Sequence, residues 1–204
     1  RGGSVTGVIG GLDWTGTPAA ESYTATDWAD TLDGGGGNDT LFGGGGDDFI
    51  FAGANADRVY GEGGHDTIYG GDGTDTLVGG DGDDRIYGGE TEADLRDIVY
   101  GGAGNDSLDG GYGNDELRGD AGNDTITGGF GVDTVIGGAG DDVLTGQAWS
   151  DLIYGSDGDD FINGGFGYDR VNGGAGADRF FHLGIADHGS DWIQDYSAAE
   201  NDVL

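Results

Sequence analysis

The sequence predicts an all-β fold, a right-handed parallel β-roll in which two nonapeptides complete each coil. Three observations carry that prediction: an aspartate recurring every nine residues, an apolar side chain two residues after each one, and glycine at 51 of 204 positions. The aspartates run Asp30, Asp39, Asp48, Asp57, Asp66, Asp75 and Asp84. After a slip of four residues come Asp97, Asp106, Asp115, Asp124, Asp133, Asp142, Asp151, Asp160, Asp169 and Asp178. From Leu32, Leu41 and Ile50 to Ile162, Val171 and Phe180, all seventeen are followed by an apolar residue at the same offset. Composition argues the other way. A net charge of −33, with Leu, Ile, Val and Phe at just under a fifth of the chain, describes a disordered polypeptide. The fixed period outranks it, because repeat units bury their apolar positions by stacking on one another.

The unit reads G-G-x-G-x-D-x-U-x, where U is apolar. Ten copies match in full, beginning at Gly34, Gly43, Gly70, Gly79, Gly101, Gly110, Gly128, Gly137, Gly164 and Gly173. Three more, beginning at Gly61, Gly119 and Gly155, carry Glu62, Asp120 and Ser156 in the second position. Residues 25–33, 52–60 and 146–154 are degenerate copies, and 88–100 is a copy with four inserted residues. Glycine supplies the positive φ and close backbone approach of a tight loop. The segment x-U-x is a minimal strand with U pointing one way and its neighbours the other. One buried residue per strand makes a thin core. Coils stacked about 4.8 Å apart give a roll of about eight coils, roughly 40 Å long.

The ends depart from the repeat. Residues 1–24 lack it. Val5, Val8 and Ile9 suggest one or two strands before Trp14, as an N-terminal cap or the end of a preceding domain. The roll occupies 25–181, and 182–204, with Asp191, Trp192, Ile193 and later Asp202, Val203 and Leu204, reads as the start of a C-terminal cap built of closing strands. Solenoids need atypical terminal units to cover their cores.

Calcium suits such loops, because it is a hard cation that takes six to eight oxygens from carboxylates and carbonyls in forgiving geometry. Over residues 25–181 the chain closely resembles the calcium-binding nonapeptide repeats of RTX (repeats-in-toxin) proteins. That resemblance implies ions lying between loops one coil apart. The earlier loop offers its second and fourth carbonyls and its aspartate, the later loop its first and third carbonyls and its aspartate. One site is then Gly44, Gly46 and Asp48 with Gly61, Gly63 and Asp66. Along the same edge, Glu62 and Gly64 face Gly79, Asp81 and Asp84, and Gly80 and Gly82 face Gly101, Ala103 and Asp106. Gly102 and Gly104 face Gly119, Ala121 and Asp124, and Asp120 and Gly122 face Gly137, Ala139 and Asp142. The edge closes with Gly138 and Gly140 facing Gly155, Asp157 and Asp160, then Ser156 and Gly158 facing Gly173, Ala175 and Asp178. On the other edge stand Asp39, Asp57, Asp75, Asp115, Asp133 and Asp169, with Gly111 and Gly113 facing Gly128 and Phe130. The expected load is about 8–15 ions, and at fifteen the added charge is about +30 against −33.

The two edges differ. Repeats counted odd, from Asp48 to Asp178, keep glycine at the fourth position; the even ones contain Asn55, Trp149 and the insertion near residues 90–95. This predicts an unbroken calcium row on the odd edge and an interrupted one on the even edge. Even loops also carry Tyr112, Phe130 and Phe166 at the third position, as shields for the thin core or as a contact surface. The ninth position holds Phe42, Phe51, Tyr60, Tyr69, Tyr87 and Tyr100, a ladder that stabilises strands by stacking or, alternatively, binds a polysaccharide or another roll.

Several functions are excluded or disfavoured. There is no apolar run long enough to span a membrane and no cysteine for a disulfide or thiolate site. The negative charge repels nucleic acid and anionic membranes. The histidines His65, His182 and His188 form no H-E-x-x-H pattern, no serine sits in a nucleophile elbow, and the chain is read as non-catalytic. Pairs such as Asp47-Asp48 and Asp141-Asp142 belong to repeat loops. The expected behaviour is calcium-coupled folding outside the cell after type I secretion, as the resemblance implies, with flanking domains of the same chain as partners. The alternatives are a calcium-dependent surface adhesin or filament, or a non-catalytic part of a secreted enzyme.

Overall fold

A computed structural model describes residues 10–181, 191–197 and 200–204. Every regular element among them is a strand, numbered β1 (Asp13–Thr15) to β20 (Trp192–Ile193). Odd-numbered strands follow one another in one ten-stranded sheet that starts at β1, and even-numbered strands do the same in the other, from β2 (Ser22–Thr24) to β20. Each pairing is parallel and joins a strand to the one a coil away, so the chain is a parallel β-solenoid.

Register follows the repeat. In β5 (Phe49–Ala54) and β7 (Thr67–Asp72), Ile50 lies opposite Ile68, eighteen residues on. The apolar residue of every repeat is buried, from Leu32 through Phe180, and together with Tyr23 and Ala52 they form the buried core among the described residues. Its flanking residues point outward, as alternation along a strand requires.

One expectation is corrected. The strands are not three residues long but mostly six, as in β4 (Thr40–Gly45), because the second and third loop positions continue the in-register pairing, Gly44 with Glu62 and Gly45 with Gly63. Identical loops stacked on each other repeat the same backbone angles, so pairing runs on past the apolar residue. The coils number about ten, because the segments before and after the repeats add turns to the eight or so of residues 25–181. Trp14 in β1 and Tyr23 in β2 continue the nine-residue apolar spacing backwards, their rings stacked at 4.5 Å. The Glu21 N–H donates to Asp39 Oδ1 at 2.7 Å, as a repeat aspartate's N–H would. At the other end, Ile193 pairs opposite Val171, and Val203 bridges Arg179 of β19 (Arg179–Phe181). Val5, Val8, Ile9, His182 and His188 lie outside the described residues.

Candidate metal centre

The loops between even and odd strands build the odd edge, and those between odd and even strands build the even edge. Each repeat aspartate is the last loop residue, held between the glycines and the strand. Its backbone N–H donates to Oδ1 of the aspartate one coil later, at 2.7–3.0 Å from the Asp30–Asp48 pair to the Asp160–Asp178 pair. The rows cross the four-residue insertion intact: Asp75 reaches Asp97 at 2.7 Å and Asp84 reaches Asp106 at 2.8 Å. Both edges therefore carry a continuous carboxylate ladder. The edges differ elsewhere.

The second carboxylate oxygen is left over. Oδ2 of Asp39, Asp48, Asp57, Asp66, Asp75, Asp84, Asp97, Asp106, Asp115, Asp124, Asp133, Asp142, Asp151 and Asp160 is buried and accepts no hydrogen bond. An unpaired buried charge is costly, and in native proteins such groups are paired or coordinate a metal. The missing side chain of the first glycine marks where Oδ2 points. A Cβ on Gly79 would press on Asp84 Oδ2 and lie 2.6 Å from the Gly101 carbonyl oxygen; one on Gly43 would press on Asp48 Oδ2 and lie 2.7 Å from the Gly61 oxygen. Carboxylate and next-coil carbonyl thus converge with no donor between them.

Burial pushes these carboxyls upward, to about 8 for Asp115 and Asp151 and to about 7 for Asp48, Asp75, Asp84, Asp97 and Asp142. Neighbouring aspartates add to the shift, and the N–H bond from the preceding coil opposes it. Among the described residues no three acidic, histidine or cysteine side chains gather into a metal cluster of their own. Any cation must draw on the backbone as well. This mixed set of carboxylates and carbonyls fits calcium and does not fit a softer metal.

The structure brings the sequence-predicted residues together loop by loop. Along the odd edge Glu62 lies opposite Gly80, Gly80 opposite Gly102, Gly102 opposite Asp120, Asp120 opposite Gly138, and Gly138 opposite Ser156. Third positions follow the same register: Gly63, Asp81, Ala103, Ala121, Ala139, Asp157 and Ala175. The N–H of each fourth glycine donates to the next coil's third carbonyl, as Gly64 to Asp81 at 2.9 Å and Gly82 to Ala103 at 2.7 Å. Glu62, Asp120 and Ser156 hold the positive φ of a second-position glycine, 75°, 72° and 90°, with only their backbone in the loop.

Three features escape a reading based on aspartate spacing. On the odd edge each fifth-position side chain accepts from the fifth-position N–H one coil on: Asp47 from His65, His65 from Asp83, Asp83 from Asn105, and so to Asp159 from Ala177. The run of Asp, His and Asn at that position was the available signal. The even edge has only isolated links of this kind, Val132 to Asn114 and Tyr168 to Ser150, because Ala56 and Val132 offer no side-chain acceptor to pass on. There, too, Trp149 holds φ at 90° and Asn55 at 86°, where every described odd loop from Gly46 to Gly176 has glycine. Finally, Asp94 in the insertion is a buried aspartate off the period.

Aromatic placement separates into two kinds. Ninth-position rings stack along the sheets, Phe42 on Tyr60 at 5.0 Å and Tyr69 on Tyr87 at 4.8 Å. Even-edge rings stand outward: Phe130, Trp149, Phe166 and Tyr168 are each more than half exposed, and Tyr112 stacks on Phe130 at 4.8 Å.

The fold and the twin oxygen rows define a calcium-binding β-solenoid. A family model described as the RTX calcium-binding nonapeptide repeat (4 copies) matches residues 24–59, 60–90, 94–126, 109–144, 127–154 and 150–180. The chain belongs to this family of calcium-binding repeats. Comparison with curated proteins finds no relative that matches.

Proposed function

We propose that the chain is a module that folds when calcium fills the loops between coils, and that it serves the export and extracellular stability of a larger secreted protein. The observation that carries this reading is the repeated buried Oδ2 without a donor. Without an ion each such oxygen adds charge repulsion to a core one residue wide. With one, it becomes a ligand that ties two coils together. The ligands are those of the resemblance, carboxylates of successive aspartates with the carbonyls around them. If the sites bind near 10⁻⁴ M, as extracellular modules do, about 1 mM calcium contributes roughly 1.4 kcal/mol per site. Cytosolic calcium, far lower, would leave the chain open for passage through a secretion channel. No reaction is assigned to the roll itself, so catalysis would belong to other parts of the parent protein.

Far-UV circular dichroism tests this directly. A coil-like spectrum in chelator that turns into a β spectrum on adding millimolar calcium is expected. An ordered β spectrum at neutral pH in chelator would sink the reading.

The exposed even-edge rings support a second role as a contact surface in an adhesin or polysaccharide-binding protein. Alanine at Tyr112, Phe130 and Phe166 should then abolish glycan binding or self-association while the calcium-induced spectrum stays unchanged. Retention of both would discard that role.

A further inference from the structure

The insertion in the even edge lies between Gly89, at the second loop position, and Leu95, at the fourth. Leu95 is fixed there by its bonds: its N–H donates to the Gly73 carbonyl at 2.9 Å, and its carbonyl accepts from Asn114 at 2.9 Å. Residues 90–94 thus stand in place of one third-position residue. Their loop is anchored, with the Thr91 hydroxyl donating to Asp72 at 2.5 Å and the Asp94 N–H donating to the Thr91 carbonyl at 3.0 Å.

Asp94 folds back into the stack. It is 4 % exposed, Oδ1 accepts from the Leu95 N–H at 2.9 Å, and Oδ2 is buried with no donor. A Cβ on Gly89 would strike both Asp94 Oδ2 and the Gly71 carbonyl oxygen, so these two oxygens face one point. Gly89 lacks the positive φ that the other second-position glycines hold, for example 103° at Gly71, which is how the chain leaves the loop here. In the regular loops the N–H of the fourth glycine meets the third carbonyl of the next coil. Here the Gly73 N–H lies near enough to the Asp94 carboxylate to oppose its upward shift, which burial dominates.

We propose that Asp94 supplies a charged ligand to the cation site between the 70–75 and 88–97 loops, beside Asp75, Asp97 and the Gly71 carbonyl. The inference rests on the calcium reading above and goes beyond the repeat, whose sites have two carboxylates. The insertion then does not interrupt the even row. It rebuilds one site with an extra negative charge, and ligand charge count is what tunes calcium affinity. Asp94 feels the charge of Asp75, and Asp97 feels that of Asp94. A divalent ion between them would offset that repulsion.

The test compares the full chain with its Asp94→Ala and Asp94→Asn variants by calorimetric titration with calcium, together with an anomalous-scattering map of parent crystals grown in calcium. Asp94→Ala should bind about one ion fewer per chain, and Asp94→Asn should weaken one ion by about tenfold or more. The map should show a peak in contact with the Asp94 carboxylate. Equal ion counts and affinities in all three chains, or a map with no peak at Asp94, would overturn the inference while leaving the calcium reading intact. Absence of calcium binding by the parent would overturn both. Should Asp94→Ala fail to fold, the parent map decides alone.

Discussion

The odd and even edges are made from the same nine-residue unit, yet they tolerate different things. On the odd edge every described fourth position from Gly46 to Gly176 is glycine, and the fifth-position side chains pass hydrogen bonds along consecutive coils. The even edge keeps the carboxylate ladder but admits Asn55, Leu95 and Trp149 at the fourth position and the five residues 90–94 in place of one at the third. The lesson is that the aspartate, its N–H bond and the buried apolar residue make the coil. The rest of the loop is free to vary where no second ladder constrains it.

The largest expected effect comes from the residue both edges share. Asp124→Ala removes the Oδ1 that accepts from the Asp106 N–H, stranding a buried donor at roughly 1–3 kcal/mol before any metal is counted. It should also cost about two calcium ions, since each aspartate faces the coils on both sides. Asp133→Ala on the even edge should behave alike, and calcium titration followed by melting checks both. If only the odd variant suffers, the even ladder is not a working part of the roll.

Acidification should act on both edges next, with two even-edge carboxyls leading. A carboxyl whose folded value is raised stabilises the fold fully below its unfolded value near 4 and loses that contribution as pH rises through the folded value. In calcium-free chain the β spectrum should therefore grow as pH falls from 8 toward 5. The two edges overlap: Asp57 and Asp133 on the even edge and Asp106 and Asp160 on the odd reach about 6. Asp75 and Asp97 on the even and Asp48, Asp84 and Asp142 on the odd reach about 7. Asp115 and Asp151, both on the even edge, reach about 8 and should therefore protonate first as pH falls. Titration of the carboxyl carbons by nuclear magnetic resonance reads that order, and their titrating together with Asp106 and Asp160 would overturn it.

Fourth-position exchanges sharpen the comparison at smaller scale. Gly82→Ala places a Cβ against the Gly64 carbonyl at a φ of 129°, and should destabilise the calcium-loaded roll by about 2 kcal/mol or more. Asn55→Ala, in a slot that already holds a side chain, should change stability by about 1 kcal/mol or less. Trp149→Gly removes a bulky residue from φ 90° and should raise stability by about 1 kcal/mol, read as a higher melting temperature. Smallest of all, His65→Ala deletes the acceptor of the exposed Asp83 N–H and should cost about 0.5 kcal/mol or less.

Much of this was legible in the chain. The period placed all seventeen aspartates and all seventeen core residues from Leu32 to Phe180 correctly, because a strand with one inward residue leaves no choice about which residue that is. Less legible were the terminal coils. Trp14 and Tyr23 keep the apolar spacing but follow Leu12 and Glu21 in place of aspartates, so a search keyed on aspartate passes over them. The fifth-position ladder was hidden for another reason. Asp, His and Asn share an acceptor but no consensus letter, and only stacking reveals that each meets the next coil's N–H.

By itself the sequence determined the coil: glycine where φ must be positive, an apolar residue to bury, an aspartate between them. These are local demands, and local patterns express them. Only the tertiary structure decided how the second carboxylate oxygen is left, because the donor that occupies the first oxygen comes from a residue eighteen positions away and the second is buried without one. The same holds for Asp94, off the period in sequence and inside the loop stack in space. Its setting depends on where a five-residue excursion returns to the roll, which no spacing rule contains.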